Sequence, residues 1–281
     1  AHIREVASHV GERMGLPADW DVVLELAGKD GSQVGKLLKK SEAEMELLSR
    51  IQQLVNATFT GWGGHGKRTR TRDRGKEPVA DRLTVKSVVR VQNAESYVHY
   101  RHARSVIAEK LKKDPACPTG DAWDIKTTRV SFAGVGGMKE HPVDKLINEH
   151  YLWHGTSPEG AEGITDKEFD LKRAGSKYGA LFGPGVYLAE SCMKADEYVQ
   201  ADPRGWFPVI LCRVMLGRVN YCDAKDPHLI GHKLESSCKP GGKFDSVLGD
   251  REKVVKTFRE FIVFDTHQVY PEFIVWYSRV Y

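Results

Sequence analysis

Cysteine is scarce in this chain: Cys117, Cys192, Cys212, Cys222 and Cys238 are scattered over 281 residues, with no Cys-x-x-Cys pair and no histidine at the spacing of a zinc site. An odd number of dispersed thiols argues against a disulfide framework and a structural metal, and fits a reducing compartment. No metal is therefore expected. Long apolar runs are missing too. None approaches the roughly 20 residues that a membrane-spanning helix needs, and the opening Ala1-His-Ile-Arg-Glu5 is not a secretory leader. These absences predict an intracellular protein, nuclear or cytoplasmic, with no membrane partner. The first residue is not methionine and falls within a helical pattern, so the chain is expected to be a piece of something longer. Internal repeats are lacking. Gly183-Pro-Gly185 has neither the Lys-Ser/Thr of a phosphate loop nor the third glycine of a dinucleotide fingerprint, so spacing alone says little there.

What is present starts with charge. The net charge of +4 is mild but uneven, because Lys67-Arg-Thr-Arg-Thr-Arg-Asp-Arg-Gly-Lys76 holds six basic side chains and one acid. Lys67, Arg68, Arg70, Arg72 and Arg74 are candidate phosphate contacts for a nucleic-acid partner. No aromatics interleave with them to stack on bases, so the first reading of the run is a solvated loop.

Along the chain, residues 1–50 carry apolar positions at helical spacing, broken at Gly31–Gly35, and predict a short N-terminal segment of amphipathic helices (1–51) ahead of a second unit (52–281). Leu83–Val91 alternates as a strand, and Ala94–Lys113 reads as a long helix with Tyr97, Tyr100, Ile107 and Leu111 on its buried stripe. A strand is expected at Thr127–Phe132. Ser157 followed by Pro158 and Glu159 is the order of a helix start. Val186–Ala189 predicts a brief strand and Ser191–Val199 a helix that puts Lys194 and Tyr198 on one face. Pro208–Gly217 predicts a buried strand. Residues 220–257 read as a loop without periodicity. Two closing strands follow, at Arg259–Phe264 and Gln268–Tyr277, with Pro271 forcing a bulge or an edge position. Helices first and then many strands with few helices between them argue for an α+β fold with mainly antiparallel pairing.

Three polar residues stand at or near strand ends among apolar neighbours: His154 in Tyr151-Leu-Trp-His-Gly-Thr156, Tyr187 in Phe182-Gly-Pro-Gly-Val-Tyr-Leu-Ala-Glu190, and Glu260 in Arg259-Glu-Phe-Ile-Val-Phe-Asp265. Taken singly, each has an ordinary structural explanation. Together with the Lys194–Tyr198 helix and Gln268-Val-Tyr-Pro-Glu272, in this order from about residue 52 to the end, the blocks resemble the catalytic domain of the poly(ADP-ribose) polymerases, the tankyrase-type and related members in particular. Similarity to that family implies an ADP-ribosyltransferase fold and a protein ADP-ribosyltransferase that uses NAD as co-substrate. His154 matches the histidine that hydrogen-bonds a ribose hydroxyl. Gly155, with Thr156 beside it, matches the backbone that holds the nicotinamide carboxamide, Tyr187 and Tyr198 the aromatics that sandwich its ring, and Glu260 the catalytic glutamate. Residues 167–182 match the loop over the adenosine half, with Asp170, Arg173 and Ala174 at adenine-side positions. Lys194 falls on the acceptor side; it reads equally well as a helix-surface lysine. Ala195 stands where many members carry a serine that bonds the carboxamide, so NAD and its mimics are expected to bind more weakly, by about 0.5–1.5 kcal/mol for one neutral hydrogen bond. The chemistry agrees with these roles. Breaking the nicotinamide–ribose bond develops oxocarbenium character that a carboxylate stabilises, and a flat neutral amide is best fixed by a backbone donor and acceptor plus stacking.

The expected partners are NAD and acceptor proteins, the chain itself included as a target of auto-modification. Mono- and poly(ADP-ribosyl)ation both stay open, with a lean to elongation. Two other readings remain: a module that holds NAD or ADP-ribose without turnover, and a nucleic-acid binder acting through residues 67–76.

Overall fold

A computed structural model of the chain describes residues 38–59, 77–113, 120–133, 142–173 and 180–281, together with Arg74 and short pieces at 15–17, 20, 26–27 and 33–34. Leu26–Ala27 (β1) and Gln33–Val34 (β2) form a small antiparallel pair. All other described strands join one nine-stranded sheet, in the order β3-β4-β11-β7-β5-β6-β10-β9-β8. These are β3 Leu38–Glu42, β4 Arg82–Asn93, β5 Glu149–Gly155, β6 Val186–Ala189, β7 Phe207–Met215, β8 Val219–Cys222, β9 Ser246–Asp250, β10 Arg259–Val263 and β11 Val269–Val280. Pairing is antiparallel except between β8 and β9. The fold is α+β, as the element order predicts.

Helices cover both faces of the sheet. Helix α1 (Met45–Thr58) turns Leu47, Ile51, Leu54 and Val55 onto Val88, Trp153, Leu211 and Phe273. The neighbouring strand positions Leu152, Ile210 and Ile274 point to the opposite face, where Ala161 of α3 (Pro158–Lys167) packs. This is the period-2 alternation of strands. Helix α2 (Ala94–Lys112) packs at the end of the face that α1 covers, through Tyr100, Ile107 and Leu111 against Tyr270 and Met215, which share a side of the sheet with Leu211. Each fully buried aliphatic side chain contributes about 1.5–3 kcal/mol relative to exposure, so the apolar stripe of α1 alone anchors it firmly. Two N-caps behave as their residue types dictate. Asn93 Oδ1 accepts from the Ser96 amide at 3.2 Å, and Ser157 Oγ from the Gly160 amide at 3.1 Å, with Pro158 in the first helical turn.

The structure differs from the sequence reading in several places, Leu26–Ala27 in β1 rather than in a helix among them. Leu38–Glu42 is a charged edge strand paired with Val89–Asn93, where the spacing predicted helix; what decides it is the open edge of β4, which the local sequence does not announce. Thr127–Phe132 is no strand: Lys126–Arg129 is a 3-10 turn, with the Thr128 hydroxyl donating to the Ile125 carbonyl at 2.7 Å. Residues 220–257, read as a loop, hold β8, β9 and two helices, α5 (Gly231–Cys238) and α6 (Arg251–Val255), each too short to show periodicity. Pro271 sits in a central strand at a bulge, with the register to β7 shifting between Pro271 and Phe273. A proline lacking its N–H is tolerated there. The adjacent Glu272 is buried and held by Arg213 Nε at 3.0 Å and the Tyr151 hydroxyl at 2.9 Å.

Candidate active site

Strands β5, β6 and β10 are neighbours in the sheet, and each carries one of the three singled-out residues. β5 and β6 pair only at Trp153 and Ala189, so the two strands part beyond that point. The half-buried His154 bridges the gap with its Nδ1 2.9 Å from the Tyr187 carbonyl. A carbonyl only accepts, so Nδ1 carries the proton and Nε2 keeps its lone pair. Burial pushes the imidazole below the ordinary histidine value, the bond to Tyr187 offsetting only part of this, and the ring is neutral at pH 7. Phe169 meets its edge at 5.0 Å between centroids.

Tyr187 is locked at its phenol. Its hydroxyl accepts from the Phe182 amide at 2.8 Å and donates to the Gly183 carbonyl at 2.9 Å, closing the Gly-Pro-Gly turn back onto the strand. Gly183 has φ +105, which a side chain would strain. Burial raises the phenol well above its usual range, so it stays protonated. The ring is thereby a rigid apolar surface.

On β10, Glu260 lies opposite Ala189 and Gly249, and its side chain is only 13% exposed. Lys194 Nζ approaches it at 3.6 Å and also reaches Glu197 Oε2 at 3.0 Å and the Tyr198 hydroxyl at 2.6 Å. The lysine is buried, which corrects its reading as a helix-surface residue. The expected helix Ser191–Val199 is short: α4 (Cys192–Ala195) runs straight into a 3-10 turn, Asp196–Tyr198.

Gly155 ends β5 against that helix. A Cβ placed on it would stand 1.9 Å from the Ala195 carbonyl oxygen, so only glycine lets β5 and α4 meet. Thr156 follows, half-buried. Ala195 is buried in the same contact. Asp170 is exposed, its carboxylate accepting from the Lys172 amide at 2.9 Å. The side chain of Arg173, all of Ala174, and Lys67, Arg68, Arg70 and Arg72 lie outside the described residues.

Several residues that sequence reasoning passed over hold this constellation. Glu190 is fully buried. It takes Lys126 Nζ at 2.7 Å and the Lys126 amide at 2.8 Å, and Arg259 Nε at 2.8 Å and Nη2 at 2.6 Å. Burial works against its charge, yet Arg259 and Lys126 hold its carboxyl below the ordinary glutamate value. Because Arg259 precedes Glu260, this clamp fixes the start of β10. A charge closing an apolar strand was the available signal, and Glu190 stood at the end of a block already singled out. Thr58, at the end of α1, accepts from Trp153 Nε1 at 3.1 Å, and its carbonyl accepts from Ser191 Oγ at 2.9 Å. Asp196 binds Tyr277 and Arg279, and Arg74 Nη2 at 2.8 Å. Arg74 is buried against the Met193 carbonyl. It is therefore a structural anchor of the α4 segment, and it corrects its placement among the candidate nucleic-acid contacts.

A family model, the poly(ADP-ribose) polymerase catalytic domain, matches residues 69–279. The chain belongs to this family. Among curated relatives, the human protein mono-ADP-ribosyltransferase PARP12 is 27% identical over 148 residues, covering 51% of this chain and 19% of the relative. The Caenorhabditis elegans poly [ADP-ribose] polymerase tankyrase is 28% identical over 169 residues, covering 50% of this chain and 7% of its own length. The mouse protein mono-ADP-ribosyltransferase PARP11 is 27% identical over 148 residues, covering 46% and 42%. The chain thus spans less than half the length of these relatives. As a poly(ADP-ribose) polymerase catalytic domain it carries the ADP-ribosyltransferase fold. No helix among its described residues is long and apolar enough to cross a membrane.

Proposed function

We propose that this catalytic domain is an active NAD-dependent protein ADP-ribosyltransferase in which His154, Tyr187 and Glu260 form the reaction centre. The observation that carries the proposal is their placement on three consecutive strands, with Glu260 held 3.6 Å from the Lys194 ammonium. The fit to NAD rests on chemistry present in the pocket. A neutral imidazole with an Nε2 lone pair is suited to accept from a ribose hydroxyl, and the phenol-locked Tyr187 ring, with Tyr198 beyond Lys194, offers faces for a nicotinamide. The Gly155 backbone, with Thr156 beside it, is assigned to the carboxamide. Asp170, Arg173 and Ala174 are assigned to the adenosine side.

In this reading the C1′–nitrogen bond of NAD breaks and its electron pair leaves with nicotinamide. The Glu260 carboxylate stabilises the positive charge on the ribose and orients the 2′-hydroxyl. The acceptor oxygen forms the new bond at C1′ and gives up its proton to a base, a task for which Glu260 is placed. Lys194, on the acceptor side, places its ammonium 3.6 Å from Glu260 and holds the carboxylate in position. A carboxylate at this position supplies what chain elongation needs, an activated ribose hydroxyl. We propose residues 52–281 as the part that carries the reaction centre, completed as a folded unit by Leu38–Glu42 and the first half of α1 (Met45–Thr58), which spans residue 52.

Auto-modification with labelled NAD, resolved on a gel, tests the reading. Wild type is expected to give a ladder, and Glu260→Gln to lose the ladder while keeping affinity for a nicotinamide mimic within a few-fold. A single sharp band in wild type would reduce the activity to mono-transfer. Saturable NAD binding with no label on any protein would replace the enzyme with a binding module.

A further inference from the structure

Away from the reaction centre, two histidines and a glutamate far apart in sequence converge on one spot. His99 projects from the second turn of α2, Glu168 follows the last residue of α3, and His267 lies in the 3-10 turn Thr266–Gln268 between β10 and β11. His99 Nδ1 is 3.0 Å from Glu168 Oε1, and His267 Nε2 is 3.7 Å from Glu168 Oε2. One ligand atom from each residue falls within a common span of 4.8 Å. The two imidazoles sit 4.7 Å apart between centroids, tilted by 41°.

We propose that His99, Glu168 and His267 form a binding site for a divalent transition-metal ion, zinc by its donor set. Zinc takes histidine nitrogen at about 2.0–2.1 Å and carboxylate oxygen at about 2.0–2.2 Å in tetrahedral geometry, which sets donors roughly 3.3 Å apart. The two histidine–carboxylate separations, each to a different Glu168 oxygen, lie either side of that value, the whole set fits within 4.8 Å, and the side chains are 21–43% exposed, so rotations of the exposed side chains can bring the set together. Two nitrogens and one oxygen select against magnesium and calcium, which prefer oxygen shells. Three protein ligands leave the fourth position to water, and a single carboxylate leaves the bound ion with net positive charge. His267 is anchored through its backbone: its amide donates to Asp265 Oδ1 at 3.0 Å, and the same carboxylate lies 3.6 Å from its Nδ1. Glu168 adopts φ +70, an uncommon conformation for a side-chain-bearing residue, as it leaves α3. Its neighbour Phe169 is the ring that packs on His154. A metal here ties the entry of residues 169–173 to the turn that follows the Glu260 strand.

The test uses the full chain, stripped with chelator and titrated with zinc chloride by calorimetry. One zinc per chain is expected. Its affinity should fall by at least about tenfold in His99→Ala, His267→Ala and Glu168→Gln, and hold in Cys238→Ser, with folding of each variant checked by circular dichroism. X-ray absorption on zinc-loaded wild type adds a readout that needs no variant: a shell of nitrogen and oxygen with imidazole scattering is expected. No zinc uptake by folded wild type, sulfur in the shell, or unchanged affinity in the two histidine variants would overturn the site.

Discussion

Gly155 and Ala195 face each other where β5 meets α4, and both act by what they lack. At Gly155 a methyl group would strike the Ala195 carbonyl oxygen at 1.9 Å, and backbone on both sides resists the shift. Gly155→Ala is therefore expected to lower stability by about 1–3 kcal/mol, the usual cost of overpacking, and to move α4 with Lys194 and Tyr198. Nicotinamide-mimic affinity measured by calorimetry should fall at least as far as thermal stability does; a variant that melts lower but binds unchanged would mean the contact is structural only. Ala195→Ser tests the opposite case. If the missing hydroxyl weakens nicotinamide binding, restoring it should tighten NAD-mimic affinity by about 0.5–1.5 kcal/mol, one neutral hydrogen bond. Equal affinities in the two proteins would remove that role.

Between elements, the Glu190 clamp is the joint that matters most for the proposed reaction centre. Four donor contacts from Lys126 and Arg259 satisfy one buried carboxylate at the junction of β6 and β10, and the Arg259 guanidinium also donates to the Trp123 and Asp124 carbonyls at 2.8 Å. Removing Arg259 leaves Glu190 with Lys126 alone, at a cost of up to the roughly 3–5 kcal/mol of a broken buried pair. Arg259→Ala should therefore destabilise by that order in urea unfolding and reduce turnover more than NAD-mimic affinity, because β10 carries Glu260. The pH dependence follows the sign of the Glu190 shift. Its carboxyl is lowered in the folded protein, so the clamp stabilises fully above the ordinary glutamate value of 4.5 and is lost as pH falls through the lower folded value. Without Arg259 the acid-unfolding midpoint should rise. An unchanged midpoint would assign the clamp no electrostatic role.

Across the whole molecule, the sheet is longer than the catalytic strands require, and its far edge is tied to the site through α1. Leu47 and Ile51 are buried beneath Trp153, while Thr58 at the end of the same helix holds the Trp153 indole and Ser191. A chain starting at residue 52 lacks β3 and half of α1. It is expected to lose several kcal/mol relative to one starting at residue 38, since truncating single large core side chains costs about 2–5 kcal/mol each. Comparing melting temperatures of the two chains tests this; equal values would place the edge of the folded unit at residue 52.

Local sequence determined the elements whose pattern is long or whose signal is chemical. The alternation in Leu83–Val91, the buried stripe of Ala94–Lys113 and the Ser157-Pro158 start need only the covalent chain and its periodicity, and Pro271 announces a break in the ladder that the structure resolves as a bulge. The motif blocks likewise singled out His154, Tyr187 and Glu260 as candidates, and Ala195 as a departure, before any contact was known. Tertiary structure decided the rest. Leu38–Glu42 became a strand because β4 offered an edge, and Arg74 left the basic run to become a buried partner of Asp196. Lys194 turned inward to Glu260. The scattered cysteines pointed away from a metal, yet His99, Glu168 and His267 come within ligand distance of one another. Their separations in sequence, about seventy and one hundred residues, carry no spacing signal, because only packing of α2 and α3 beside the β10–β11 turn brings them together.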